Sequence, residues 1–150
     1  MKPVFALLTD FGLTDAYVAQ MKSVLLGQCP ECRILDISHN VLPQNILQAG
    51  FFLSATWKYL PGNTICLAVV DPGVGTQRRI LLLQSGEKYV LFPDNGLISM
   101  LLDQLDGCSI FSVSYPAEGE ISSTFHGRDV FAPVAAKLAM GYTPAELGSK

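Results

Sequence analysis

Val69-Val70-Asp71-Pro72-Gly73-Val74-Gly75-Thr76-Gln77-Arg78-Arg79 is the stretch on which the reading of this chain turns. The apolar run from Ile65 to Val70 has the length of a buried strand. It stops at an acid, followed by a turn of one proline and two glycines. Two arginines follow within the same loop. Open α/β sheets build ligand sites at such places, where a strand ends and delivers a side chain to the carboxyl edge of the sheet. Glycine at that edge lets a ligand approach the backbone closely. The pattern recurs at Thr9-Asp10-Phe11-Gly12 and at Phe92-Pro93-Asp94-Asn95-Gly96. Three strand ends that carry Asp near Gly exceed what random loop chemistry supplies.

Working outward, the chain alternates strand-like and helix-like segments. Val4 to Leu8 reads as a buried strand. Tyr17, Met21, Val24 and Leu25 have helical spacing, with Thr14 or Asp15 as cap. Arg33 to Ile37 is a second strand. Pro43 stands where a helix would begin, carrying Ile46, Leu47, Phe51, Leu53 and Trp57. Thr64 to Val70 is the third strand. Ile80 to Gln84 and Tyr89 to Phe92 form a hairpin across Ser85-Gly86-Glu87-Lys88. Gly96 to Leu105 is a short helix and Ser109 to Ser114 a further strand. A polar surface loop is expected at 118–123, and Val130 to Met140 is the last helix. Strands alternating with helices imply an α/β fold: a mostly parallel central sheet with helices on both faces.

The totals bound the function. A chain of 150 residues fits one domain and is long enough to bury roughly two thirds of its unfolded surface. Only 15% of residues are charged, which suggests that another domain or subunit covers part of the surface. The net charge of −3 argues against a nucleic-acid partner, which demands a basic face. No apolar run approaches the roughly 18–20 residues of a membrane span. The apolar run after Met1-Lys2-Pro3 is too short for a signal peptide, so a cytoplasmic location is expected. Four cysteines there imply thiols.

Each candidate has a plainer alternative. Asp71 with Arg78 reads either as a structural ion pair or as part of a site, and the Pro-Gly loop favours the site. His126 lies between Phe125 and Gly127, ahead of a helix whose positive end would lower its pKa and keep it neutral. His39 reads more simply as a hydrogen-bonded structural residue. Cys29-Pro30-Glu31-Cys32 is a CxxC, but it follows a helix and precedes a strand, the wrong side for a redox motif. No second ligand pair completes a zinc site, so no metal is expected. Neither GxGxxG nor GxxxxGK is present, which disfavours nucleoside triphosphates.

Taken together, Thr9-Asp10-Phe11-Gly12 with Asp15 and Tyr17-Val18, Asp36-Ile37-Ser38-His39, Val69 to Gly75 with Arg78, Pro93-Asp94-Asn95-Gly96 and Thr124-Phe125-His126-Gly127-Arg128-Asp129 resemble the signatures of the S-adenosylmethionine hydroxide adenosyltransferases. These are homologues of fluorinase and chlorinase. The resemblance implies hydrolysis of S-adenosyl-L-methionine to adenosine and L-methionine, with that molecule as substrate and no cofactor. It places Asp71, Arg78 and His126 on the family's water-activating triad. Arg78 would favour hydroxide, Asp71 would aim the water, and His126 would accept or relay its proton. Asp10 falls on the ribose-binding carboxylate, and Phe11, Asp71, Asn95 and Phe125 join the substrate-binding set. Halogenating relatives carry tyrosine where Asp71 stands and, in fluorinases, serine where Gly127 stands, which favours water over halide.

The resemblance further implies a homotrimer for the full-length protein. Complete members carry a second, mainly β C-terminal domain. Residues 1–150 correspond to the N-terminal α/β domain alone, so incomplete activity is expected of them. The alternatives are a halogenase and a non-catalytic fragment that binds nucleosides or oligomerises.

Overall fold

The computed structural model describes residues 2–73, 78–114 and 125–150. The middle of the glycine turn, Val74 to Gln77, and the expected surface loop at 118–123 lie outside them. In chain order the elements are β1 (Val4–Thr9), α1 (Tyr17–Gln28), β2 (Arg33–Ser38), α2 (Ile46–Thr56) and a 3-10 turn (Trp57–Tyr59). Then come β3 (Thr64–Val69), β4 (Ile80–Ser85), β5 (Lys88–Pro93), α3 (Ser99–Leu102) and β6 (Ser109–Val113). A π-helical turn (Gly127–Phe131) leads into α4 (Ala132–Ala139), and α5 (Pro144–Leu147) and β7 (Gly148–Ser149) follow.

One sheet contains all seven of these strands in the order β2-β1-β3-β5-β4-β6-β7. β2, β1, β3 and β5 are joined by parallel pairings, whereas β4, β6 and β7 add antiparallel ones. The sheet is therefore mixed, with a parallel block and an antiparallel flank. β1 and β3 are buried along their whole length. Because alternate strand residues point to opposite faces, they feed two cores. Phe5, Leu7, Ile65 and Leu67 pack with Met21 and Leu25 of α1 and with Val134 and Leu138 of α4. Ala6, Leu8, Cys66 and Ala68 pack on the other face with Ala49 and Leu53 of α2, Trp57 and Leu101. Helices thus cover both faces.

Several boundaries differ from expectation for identifiable reasons. Helix α2 starts at Ile46, three residues beyond Pro43, because the Asn45 side chain caps it by accepting the Gln48 N–H at 2.9 Å. Gln44, just before the cap, is held at φ +61°. Asp15 contributes at the start of α1 by accepting the Tyr17 N–H at 2.9 Å. The helix expected over Gly96–Leu105 narrows to the four residues of α3. The π-helical turn has its cause in Pro133, which lacks an N–H and cannot bond the carbonyl four residues back. Instead the Ala132 N–H reaches five residues back to the Gly127 carbonyl.

This topology positions the site. β1 lies between β2 and β3, so the chain leaves it to one side through α1 and passes to the other through α2. The loops after β1 and β2 lead to helices on opposite faces, and the end of β3 stands beside that of β1 at the carboxyl edge, where doubly wound sheets take their ligands in a crevice. β4 runs against β5 with Ile80 opposite Pro93, which brings Arg78 and Arg79 to that same edge.

Candidate active site

The crevice is lined by Asp10, Phe11, Gln44, Val69, Asp71, Phe125, His126 and Gly127, and encloses about 200 Å³. Four separate segments meet there: the ends of β1 and β3, the loop before α2, and the entry to the π-helical turn. A larger cavity of about 390 Å³ opens at the opposite edge, beside Pro3, Asn63, Gln84 and Tyr89. Its lining includes one acid, Glu87, but no arginine or histidine, so the smaller crevice is the candidate site.

Arg78 joins Asp71 and His126. Its Nε donates to Asp71 Oδ2 at 2.8 Å, and one Nη donates to the same oxygen. That Nη also lies 2.8 Å from His126 Nδ1. The side chains of Arg78 and Asp71 are only 9% and 4% exposed, so little solvent screens the pair. Guanidinium has no lone pair to offer, hence His126 Nδ1 is the acceptor and the ring hydrogen sits on Nε2. Burial, then the Arg78 charge, hold the His126 pKa below its usual 6.5, and the nearby Asp71 and Asp129 only partly oppose this. The direction matches the sequence reading, but burial and a guanidinium are its causes. The second Asp71 oxygen, Oδ1, is buried and has no hydrogen-bond partner among the described residues. A buried carboxylate oxygen without a donor is costly, so a ligand or water that brings an O–H would be held firmly.

The substrate-binding candidates divide. Phe11 and Phe125 meet edge to face at 5.4 Å, and Tyr17 closes the aromatic group at 4.7 Å from Phe125. Arg128 lies over the outer face of Phe125 at 5.0 Å. A Cβ on Gly127 would come within 3.1 Å of Phe11 Cζ and 3.3 Å of Met21 Sδ, so this residue must be small. Asp10 accepts the Gln44 N–H on Oδ2 at 2.7 Å. Asn95 is not brought to the crevice. Its amide donates to the Val70 carbonyl at 3.0 Å, and its oxygen accepts the Leu97 N–H at 3.1 Å, which steadies the loop behind Asp71. Asp94 turns away to Arg79 at 2.7 Å.

Gln44 is the lining residue that sequence reading missed. The signal was available in Asn45-x-x-Gln48, a cap-like spacing that ends the loop at residue 45 and leaves Gln44 at the carboxyl edge. The thiols of Cys29 and Cys66 are pushed up to about 11 and about 12, chiefly by burial, which suits unreactive core residues. Among the described residues no group of three or more His, Cys, Asp or Glu is placed to hold a metal ion. No helix among them is long and apolar enough to cross a membrane.

Fold and crevice define an open α/β domain with an acid–arginine–histidine group at its topological switch point. Residues 5–148 match the SAM hydroxide adenosyltransferase N-terminal domain, and the chain belongs to that family. It is 43% identical to an (R)-S-adenosyl-L-methionine hydrolase of Thermus thermophilus, over 99% of this chain and 61% of the relative. A fluorinase of Actinoplanes sp. is more distant, at 26% identity over 97% of this chain and 57% of that protein. Among solved structures, an uncharacterized conserved protein from Thermotoga maritima superposes with a TM-score of 0.89 at 36% identity, covering 97% of this chain and 57% of that one. The chain thus spans about six tenths of the length of the relatives it matches.

Proposed function

We propose that this crevice hydrolyses S-adenosyl-L-methionine to adenosine and L-methionine, through attack of a bound water on the ribose C5′. The carrying observation is Asp71: one oxygen is fixed by Arg78 and the other is buried without a donor among the described residues. A water on Oδ1 has one hydrogen pointed at the carboxylate and a lone pair left for carbon. As the O–C5′ bond forms, the C5′–S pair returns to sulfur and the water's proton passes to Asp71. The leaving group is a neutral thioether, so neither a general acid nor a cofactor is needed. Hydroxide character and sulfonium charge cancel on approach, a collapse that bulk water would hinder. In this reading His126 is an orienting group. With Nδ1 engaged by Arg78, the ring offers an N–H and orients the guanidinium and the water; proton acceptance falls to Asp71.

Asp10 suits the ribose diol, since Gln44 occupies one oxygen and carboxylates accept several bonds. Small-molecule sites usually enclose about 300 Å³ or more. A crevice of about 200 Å³ holds the ribose and sulfonium, while adenine and the methionyl end project beyond it. That geometry favours completion of the site by further copies in a full-length homotrimer. Leu13 and Leu42, exposed on loops that flank the crevice, suit such burial. Likeness to the Thermus (R)-S-adenosyl-L-methionine hydrolase favours the (R)-sulfonium epimer as substrate. Thiols, low charge and an acidic balance fit a cytoplasmic protein that does not engage nucleic acid.

The test is turnover in ¹⁸O-labelled water. The expected outcome is adenosine carrying the label at its 5′-hydroxyl, faster release from the (R) than the (S) epimer, and no 5′-halo-adenosine when halide is added. Unlabelled adenosine, or a halide-dependent product, would overturn the assignment.

A further inference from the structure

Beside the crevice, and not part of its lining, lies a chain of polar groups that runs from buried Thr9 and His39 out to Asp36 and Lys22 at the surface. Its ring is engaged at both nitrogens: Nδ1 is 2.7 Å from Thr9 Oγ1, and Nε2 is 2.7 Å from Asp36 Oδ1. The other Asp36 oxygen accepts from Lys22 Nζ at 2.8 Å. Burial works against the ionised Asp36, but the bonds from Lys22 and His39 outweigh it and hold this carboxyl below its ordinary range. Thr9 is fully buried, and its hydroxyl oxygen also accepts the Phe11 N–H at 3.3 Å. A carboxylate only accepts, so the Nε2 hydrogen goes to Asp36, and the neutral ring then takes the Thr9 hydroxyl hydrogen on Nδ1. The main chain adds a further tie, because the His39 carbonyl accepts the Gly12 N–H at 2.7 Å.

His39 is therefore bonded on either side of the Asp10–Phe11 dipeptide, through its ring to Thr9 and through its carbonyl to Gly12. The backbone ladder gives that dipeptide little help. The β1–β2 register slips at this point, from Leu7 opposite Asp36 to Leu8 opposite Ser38, and β1 ends at Thr9. Past the last ladder bond, the loop is held by the Gly12 N–H on the His39 carbonyl and by the side-chain bonds of Thr9 and His39.

We propose that His39 is a positioning residue for the site: it clamps the turn that presents the Asp10 carboxylate and the Phe11 ring to the substrate nucleoside. The inference rests on the proposed reading of the crevice as a nucleoside site. The clamp acts on binding more than on the chemical step, because the Asp71–Arg78–His126 group hangs from β3, β4 and the π-helical turn. Groups that orient a binding side chain are costly to lose, since displacement by about 1 Å can weaken a site by up to roughly 100-fold.

The test uses three variants of the whole chain. His39→Asn places an amide oxygen near the position of Nδ1 and keeps the bond from Thr9. His39→Gln reaches the position of Nε2 and keeps only the Asp36 bond, and His39→Leu keeps neither. Calorimetry with adenosine and steady-state kinetics with S-adenosyl-L-methionine are the readouts. The expected result is a rise in Kd and KM of about 10- to 100-fold for His39→Leu and His39→Gln, a smaller change in kcat, and recovery of most of the loss in His39→Asn. Equal loss of melting temperature in all three with Kd and KM unchanged would overturn the proposal and leave a purely structural role. Hydrogen exchange at the Phe11 and Gly12 amides tests the clamp without ligand. Faster exchange in His39→Leu than in His39→Asn supports it, and equal rates refute it. If wild-type chain shows the clamp but binds no adenosine, the nucleoside reading fails instead.

Discussion

Arg78 holds together a group in which each partner is useful only while the others stand. Its guanidinium fixes one Asp71 oxygen, fixes the His126 tautomer, and leaves Asp71 Oδ1 as the acceptor. Asp71→Asn should cut turnover by about 10²- to 10⁴-fold while the circular dichroism spectrum and melting temperature stay close to wild type. An Asp71→Asn protein with undiminished turnover would remove Asp71 from the chemistry. His126 gives a second prediction, with a definite sign. Its pKa is lowered in the fold, so the unfolded chain binds a proton first as acid is added. Its contribution is fully retained above pH 6.5, and stability falls as pH drops from there toward the folded pKa, where the loss levels off. An NMR titration of the His126 ring should give a midpoint below 6.5, and Arg78→Leu should move it upward by removing the adjacent charge. An unchanged midpoint in that variant would leave burial as the sole cause. At this scale much was legible in the sequence: Asp71, Arg78, His126, Asp10, Phe11 and Phe125 meet at one edge. Asn95 was not, because a polar side chain beside glycine reads alike whether it faces a ligand or, as here, ties its own loop to the Val70 carbonyl.

The elements themselves were legible where burial decides them and less so where a cap or a missing donor does. β1 and β3 announce themselves as continuous apolar runs. The start of α2 was misplaced because Pro43 looks like a first helical residue, whereas Asn45 supplies the cap. The edge strand β7 had no signal in two residues. The loop between β2 and α2 carries the resulting strain: Gln44 at φ +61° sits where L-residues are disfavoured, and its N–H goes to Asp10. Left-handed backbone costs a non-glycine residue about 1–2 kcal/mol, and glycine gives back about 0.5–1 kcal/mol in unfolded-state entropy. Gln44→Gly should therefore raise unfolding free energy slightly, by about 0–1.5 kcal/mol, in urea titrations. Its backbone N–H stays available to Asp10, so adenosine affinity changes only by what the Gln44 side chain contributes. A clear loss of stability would mean that the side chain, not the backbone, sets this loop.

Across the whole molecule the two faces of the sheet stand differently toward the crevice. The α1–α4 face runs directly into it: Met21 lies under Gly127, and Phe11 closes over the same glycine. The α2 face is packed around Leu53, Ala49 and Trp57, and the loop that precedes α2 supplies Gln44 to the crevice lining. Large-to-small substitutions in either core should cost about 2–5 kcal/mol, because both are fully buried. Their effects on the site should separate. Leu53→Ala is expected to lower stability while kcat/KM, measured well below the melting temperature, stays within about twofold of wild type, since sites without shared partners act independently. Met21→Ala opens space beneath Gly127 and frees Phe11 to sink, which moves the entry of the π-helical turn and His126 with it. It should lower stability by a similar amount and also lower kcat/KM by about tenfold or more, because small misplacements of reacting groups are expensive. Equal kinetic losses in the two variants would mean that the sheet transmits packing defects to the crevice from either side.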